Sequence, residues 1–206
     1  LPVIEALAGQ VSIPISIDTT KAAVARQAVA AGATIINDVS ALRMDPDMAA
    51  TAARCRVPLV LMHMQGTPKT MQVAPTYDDL IADVTAFLAQ TVARAVAAGV
   101  ERTSVIVDPG IGFGKTIAHN LQILRELNRF HDLGCPLLVG PSRKMFIRQL
   151  LKSPTDPDPD PLSDTVARGT QAAVAAAAMH SVHIVRVHDV ARTRSTLSII
   201  DAIRSV

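Results

Sequence analysis

The sequence predicts an α/β fold with a parallel sheet, on three observations. Short β-branched runs alternate with longer Ala-rich segments of helical period. Most of the runs are apolar throughout, as parallel strands covered on both faces require. Each run stops at residues able to do chemistry. The 206 residues give room for a sizeable core, since 49% of them are hydrophobic, and residues 1–206 read as a single domain.

The elements follow in order. The first run, Ser12 to Ile17, ends in Asp18-Thr19-Thr20 and hands over to a helix from Thr20 to Ala31, with Gly32 placed to close it. The second, Thr34 to Ile36, ends in Asn37-Asp38. The third, Pro58 to Met62, runs into His63-Met64-Gln65-Gly66, and a helix from Asp79 to Ala98 follows and stops at Gly99. The fourth, Val105 to Val107, ends in Asp108-Pro109-Gly110. The fifth, Pro136 to Val139, runs into Gly140-Pro141-Ser142-Arg143-Lys144. Ser153 to Pro161 is a Pro/Asp tract whose prolines lack donors and whose aspartates repel, so it reads as an exposed, mobile loop. A helix from Asp164 to Met179 resumes the pattern. The sixth run, His183 to Val187, ends in Arg186-Val187-His188-Asp189, before a helix from Asp189 to Ile203.

In a parallel α/β barrel the C-terminal strand ends share one face, where an active site is built. Taken singly, Asp18 or Asp189 is as well read as a helix cap, and Asn37 or Asp108 as a turn former. Repetition over six strands favours a site. Ser142-Arg143-Lys144 and Arg186-x-His188 place two cationic clusters at strand ends, which suits a phosphate or pyrophosphate. Gly110-Ile-Gly-Phe-Gly-Lys-Thr116 resembles a phosphate loop, but only three residues separate Gly110 from Gly114 where that loop needs four. No Ser-His-Asp or zinc-type spacing occurs, and His63 reads as a core histidine.

Other classes are disfavoured. A formal net charge of +2 without a basic run, and four Phe, one Tyr and no Trp, do not describe a nucleic-acid binder. The most apolar stretch, Ala172 to Val185, is broken by His180 and His183, so no membrane span is expected. Cys55 and Cys135 have no metal-ligand spacing and read as reduced core cysteines, which fits a cytoplasmic location. The start, Leu1-Pro2-Val3-Ile4-Glu5, has no signal-peptide pattern and no Met. It reads as the end of a helix, with a preceding segment expected.

Six motifs in this order resemble the dihydropteroate synthase family: Ile15-Ser-Ile-Asp-Thr-Thr-Lys21, Ile36-Asn-Asp-Val-Ser40, Leu61-Met-His-Met-Gln-Gly-Thr-Pro68, Val107-Asp-Pro-Gly-Ile-Gly-Phe-Gly114, Val139-Gly-Pro-Ser-Arg-Lys144 and Val185-Arg-Val-His-Asp-Val190. The resemblance implies a TIM (β/α)8 barrel, here incomplete and covering strands three to eight. It implies transfer of 6-hydroxymethyl-dihydropterin from its pyrophosphate to 4-aminobenzoate, in folate biosynthesis. By resemblance, Asp18, Asn37, Asp108 and Lys144 line a pterin pocket walled by Val39, Met62 and Gly140. Asp18, Asp108 and Lys144 are the catalytic candidates. Arg186 and His188, with Asn37 at the pocket's edge, lie near the departing pyrophosphate. Ser142, Phe113 and Lys144 border the 4-aminobenzoate site, which sulfonamides also occupy.

The resemblance also implies Mg²⁺ as cofactor, a homodimer formed through helices late in the barrel, and the pterin pyrophosphate and 4-aminobenzoate as small-molecule substrates. The family's Asn implicated in binding Mg²⁺ lies in the first two strand-helix units, which this sequence lacks, so no metal ligand is expected among these residues. Loss of pyrophosphate leaves a cation on the pterin, which buried Asp18 and Asp108 would stabilise. Two alternatives stand beside this: a pterin-dependent methyltransferase of the same superfamily, which would not need the two cationic motifs, and a catalytically inactive pterin-binding fragment.

Overall fold

A computed structural model describes every residue except Pro68, Lys69 and Gln72. Pro68, the last residue of the third motif, therefore lies outside the described residues. The chain divides into two compact units, residues 1–63 with 84–108, and residues 64–83 with 109–206.

The first unit carries α1 (Pro2–Ala8), β1 (Ser16–Asp18), α2 (Ala22–Ala30), β2 (Ile35–Asp38), α3 (Met48–Cys55), β3 (Leu59–Met62), most of α4 (Leu80–Ala97) and β4 (Val105–Asp108). Its strands form one parallel sheet in the order β1-β2-β3-β4. Ile36, Leu59, Leu61, Val105 and Val107 share one face through the strand register and are fully buried. Burying each such side chain contributes about 1.5–3 kcal/mol. Helix α2 buries Ala22, Ala25 and Ala28, one side chain per turn, and packs on α3. Past α2, Gly32 adopts φ +112°, and the Ala33 N–H closes onto the Ala28 carbonyl, as its place in the sequence predicts.

Helix α4 is long and apolar enough to cross a membrane by length and composition, a feature missed in the sequence. Its buried residues Ile81, Val84, Leu88, Val92 and Ala95 recur at spacings of three and four, while Asp83, Gln90 and Arg94 are exposed. That is the pattern of a helix packed by one face.

The second unit carries α5 (Ile117–Arg125), β5 (Leu138–Val139), α6 (Met145–Leu150), α7 (Asp164–Met179), β6 (Ile184–Val185) and α8 (Val190–Arg204). β5 and β6 pair in parallel. Gly169 in α7 lets α6 approach, since a Cβ there would meet Ile147 Cγ2 at 2.7 Å and Leu151 Cδ1 at 2.8 Å. Ser163 caps α7 and Asp189 caps α8. Asp189 thus takes the capping role that its position allowed. Arg192 bonds Asp164, which ties the start of α7 to α8 and holds the Asp164 carboxyl below the usual carboxylate range.

Several strands are shorter than the sequence predicts. β1 starts at Ser16, because Pro14 has no N–H to donate. β5 starts at Leu138, because the Leu137 N–H is taken by His183 Nδ1 at 3.0 Å. The 153–161 segment lacks regular elements, as expected, but it is tied down rather than loose. Ser153 and Asp156 exchange backbone hydrogen bonds, and Arg148 bonds the Pro159 carbonyl and the Asp158 carboxylate, each at 2.8 Å.

Candidate active site

In the first unit the register aligns the ends of the strands. Asp18 pairs with Asn37, Asn37 with Val60, and Met62 with Asp108. Because side chains alternate along a strand, Asp18, Asn37, Met62 and Asp108 lie on one face of the sheet. Asn37 Nδ2 donates to Asp18 Oδ2 at 2.9 Å. Asn37 is 5% exposed, and its Oδ1 has no hydrogen-bond partner among the described residues. A buried carbonyl oxygen without a donor is costly unless a ligand supplies one. Met62 and Asp108 are fully buried, and Val39 is half-buried in the turn after β2.

Asp18 departs from the expectation of a buried carboxylate. Among the described residues it is exposed, and β1 pairs there with β2. Asp38 departs in the other direction. One residue beyond Asn37, it points to the opposite face and is fully buried. Its carboxylate accepts from Ser40 N–H (2.9 Å), Ser40 Oγ (2.6 Å) and Leu42 N–H (2.8 Å). Those bonds hold the turn in which Ala41 and Leu42 adopt φ of +51° and +65°. Asp38 builds the loop, and Asn37 faces the site. His63 is a core histidine, 6% exposed, with its ring edge-on to Phe87.

In the second unit the β5–β6 register continues past the strands themselves. Leu138 pairs with Ile184 and Val139 with Val185. The Arg186 N–H then donates to the Val139 carbonyl at 2.9 Å. Arg186 falls opposite Gly140, and His188 opposite Ser142. A Cβ on Gly140 would stand 3.2 Å from both Arg186 Nε and Nη2, so glycine leaves room for the guanidinium. Ser142 Oγ lies 2.9 Å from His188 Nδ1 and accepts the His188 N–H at 3.3 Å.

Lys144 pairs instead with the glycine loop. Its stem crosses Gly112, where a Cβ would meet Cδ at 2.9 Å. Its ammonium lies 3.9 Å from the centre of the Phe113 ring, a cation–π contact. The loop beneath is tightly held. The Gly112 N–H donates to Asn120 Oδ1 (2.7 Å), Lys115 Nζ to the Phe113 carbonyl (3.0 Å), and Tyr77 O–H to the Gly114 carbonyl (2.7 Å). Burial, then the charge of Asp83, pushes the Tyr77 hydroxyl up to about 12. His119, which accepts the Thr116 N–H at the start of α5, is pushed below the usual histidine range by burial and then by Lys115. Arg143, before Lys144, is a non-glycine residue at φ +57°, a conformation that costs about 1 kcal/mol or more and persists where surroundings enforce it. Here Thr170 Oγ1 accepts its N–H at 3.2 Å.

Gly112, Lys115 and Asn120 were not singled out from sequence. Their signal was the alternating glycines at 110, 112 and 114, which entered there as part of the fourth motif and as a segment unlike a phosphate loop, with no role given to Gly112 itself. Among the described residues no group of three or more His, Cys, Asp or Glu side chains is placed to hold a metal ion.

The sequence pattern of the pterin binding enzyme family matches residues 1–188. Dihydropteroate synthase of Escherichia coli K12 is 42% identical over 203 residues, which is 98% of this chain and 68% of that protein. A Yersinia pestis dihydropteroate synthase, solved in complex with a sulfonamide drug, superimposes with a TM-score of 0.92 at 44% identity, over 99% of this chain and 71% of that one. A Xanthomonas albilineans dihydropteroate synthase, solved with 7,8-dihydropteroate, gives 0.89 at 43% identity, over 100% of this chain and 72% of that one.

Proposed function

This chain belongs to the dihydropteroate synthase family, and from that premise we propose which of its residues serve each step. The reaction is transfer of the 6-hydroxymethyl-dihydropterin group from its pyrophosphate to 4-aminobenzoate. The bond from the pterin methylene to pyrophosphate breaks, and its electron pair leaves on the pyrophosphate. The lone pair of the aniline nitrogen forms the new carbon–nitrogen bond, and that nitrogen then loses a proton. No protein nucleophile is needed.

The sheet face of the first unit is the pterin seat. The observation that carries this is Asn37, whose buried Oδ1 awaits a donor beside Asp18, Met62 and Asp108 on the same face. Pterins present ring N–H groups that suit it. Asp108, 1% exposed, is a buried carboxylate on that face whose weakly screened charge stabilises positive charge on the departing pterin, with Asp18 beside it on the same face. In the second unit Arg186 and His188 receive the pyrophosphate. Phe113 and Lys144 border the 4-aminobenzoate, with Ser142 assigned there by resemblance. Sulfonamides would compete with 4-aminobenzoate. By resemblance Mg²⁺ is the family's cofactor, and when bound it would help neutralise the charge of the leaving pyrophosphate.

The finer fold reading is that β1 to β6 are the third to eighth strands of a (β/α)8 barrel and that residues 1–206 make one pterin-binding domain. Support comes from the family match, which runs unbroken over 1–188. A homodimer formed through the second unit's helices is supported by exposed Leu121, Leu150, Met179, Ile199 and Ile203. A cytoplasmic location is supported by the free Cys55 and Cys135.

The test is to incubate the protein with the pterin pyrophosphate, 4-aminobenzoate and Mg²⁺ and to measure dihydropteroate and pyrophosphate. Both should appear in equal amounts. Pterin binding without product would make it an inactive pterin-binding protein instead.

A further inference from the structure

We infer that Ser142 is a positioning residue for His188: its hydroxyl donates to His188 Nδ1, which fixes the imidazole with its proton on Nε2, aimed for the departing pyrophosphate. The inference deepens the proposed reaction and rests on the assignment of His188 to pyrophosphate.

Ser142 is 7% exposed, and among the described residues its hydroxyl has two hydrogen-bond partners, both atoms of His188. A hydroxyl has one proton to give and two lone pairs to offer. One lone pair takes the His188 backbone N–H at 3.3 Å. The proton has a single acceptor within reach, His188 Nδ1 at 2.9 Å. Were Nδ1 itself protonated in the neutral ring, the serine proton would be buried with no acceptor, which costs more than the bond is worth. The arrangement therefore selects the tautomer with Nδ1 unprotonated and Nε2–H free to donate.

The register explains why a serine stands there. The pairing of Leu138 with Ile184 and Val139 with Val185 sets Gly140 against Arg186 and Ser142 against His188. The two residues on the β5 side are small, one leaving room for the guanidinium and one holding the imidazole. Together they would aim two N–H donors at one anion. Ser142 then acts on the leaving group through His188, where the family resemblance alone places it beside 4-aminobenzoate.

Nitrogen-15 NMR of the ligand-free protein reads the tautomer without reference to activity. Recorded in the neutral ring, wild type should show the His188 proton on Nε2 and not on Nδ1. In Ser142→Ala the two tautomers should mix, and Ser142→Thr, which keeps the hydroxyl, should restore the wild-type signature. Calorimetric affinity for pyrophosphate should fall about tenfold in Ser142→Ala, the size of one lost hydrogen bond to a charged site, and Ser142→Thr should recover it. A wild-type His188 protonated at Nδ1, or a Ser142→Ala variant with the wild-type tautomer, overturns the inference. So does a Ser142→Ala variant that keeps the wild-type affinity for pyrophosphate. Failure of wild type to bind pyrophosphate would instead remove the reaction assignment, and the tautomer result would still decide the Ser142–His188 pairing.

Discussion

Lys144 lies across Gly112: a Cβ on the glycine would meet Lys144 Cδ at 2.9 Å, and beyond that point the ammonium rests 3.9 Å from the centre of the Phe113 ring. The lysine is placed by the missing side chain beneath it. Gly112→Ala forces a choice between moving the loop and moving the lysine, and the flexible lysine yields. The variant should fold with about 1 kcal/mol less stability, because φ at this position is +79°. Its kcat/KM should fall about tenfold or more as Lys144 leaves Phe113. Unfolding curves and steady-state kinetics together check this.

Gly140→Ala tests the anion side. Its Cβ would stand 3.2 Å from Arg186 Nε and Nη2, and no positive φ adds strain there. The melting temperature should hardly move, while affinity for the pterin pyrophosphate falls about tenfold. Calorimetry beside a thermal melt separates the two effects.

Asp38 and Asp108 are both buried strand-end aspartates, yet they should respond oppositely to substitution. Asp38→Ala strips three hydrogen bonds from the loop and should cost about 3 kcal/mol of stability. Asp108→Asn keeps the shape and removes the charge, so the fold should persist while kcat falls at least about tenfold. A full-activity Asp108→Asn enzyme would contradict the charge-stabilising role.

How far the sequence foretold this site is clearest at Asn37 and Asp38. Six apolar runs ending in polar residues located the strand ends. The sequence did not say which of two adjacent polar residues faces the ligand, because that depends on register. Nor did it place Asp18 on the same face as Asn37, which the β1–β2 register does. Helices α3, α5 and α6, six to nine residues each, were not named in advance. At that length propensity is weak and tertiary packing decides. Gly112 was overlooked for a related reason: its role is a contact with a residue 32 positions along the chain.

Tyr77 is the only tyrosine, so tyrosinate absorbance reports it alone. In the folded protein it should titrate near 12, against about 10 when unfolded. The folded state favours the protonated phenol, so its contribution to stability is complete below about pH 10 and is lost as pH rises towards 12. Tyr77→Phe should abolish that slope. A native titration near 10 would contradict the buried hydroxyl bonded to Gly114.

The central claim is that the sheet face bearing Asn37 seats the pterin. The most direct measurement is calorimetric titration of the protein with a pterin pyrophosphate analogue, beside Asn37→Leu and Lys144→Ala. Wild type should bind one analogue per chain. Asn37→Leu should bind at least about tenfold more weakly without losing stability, since Leu removes the orphaned oxygen at similar volume. Lys144→Ala should weaken binding as well. Wild-type affinity in Asn37→Leu would contradict the account.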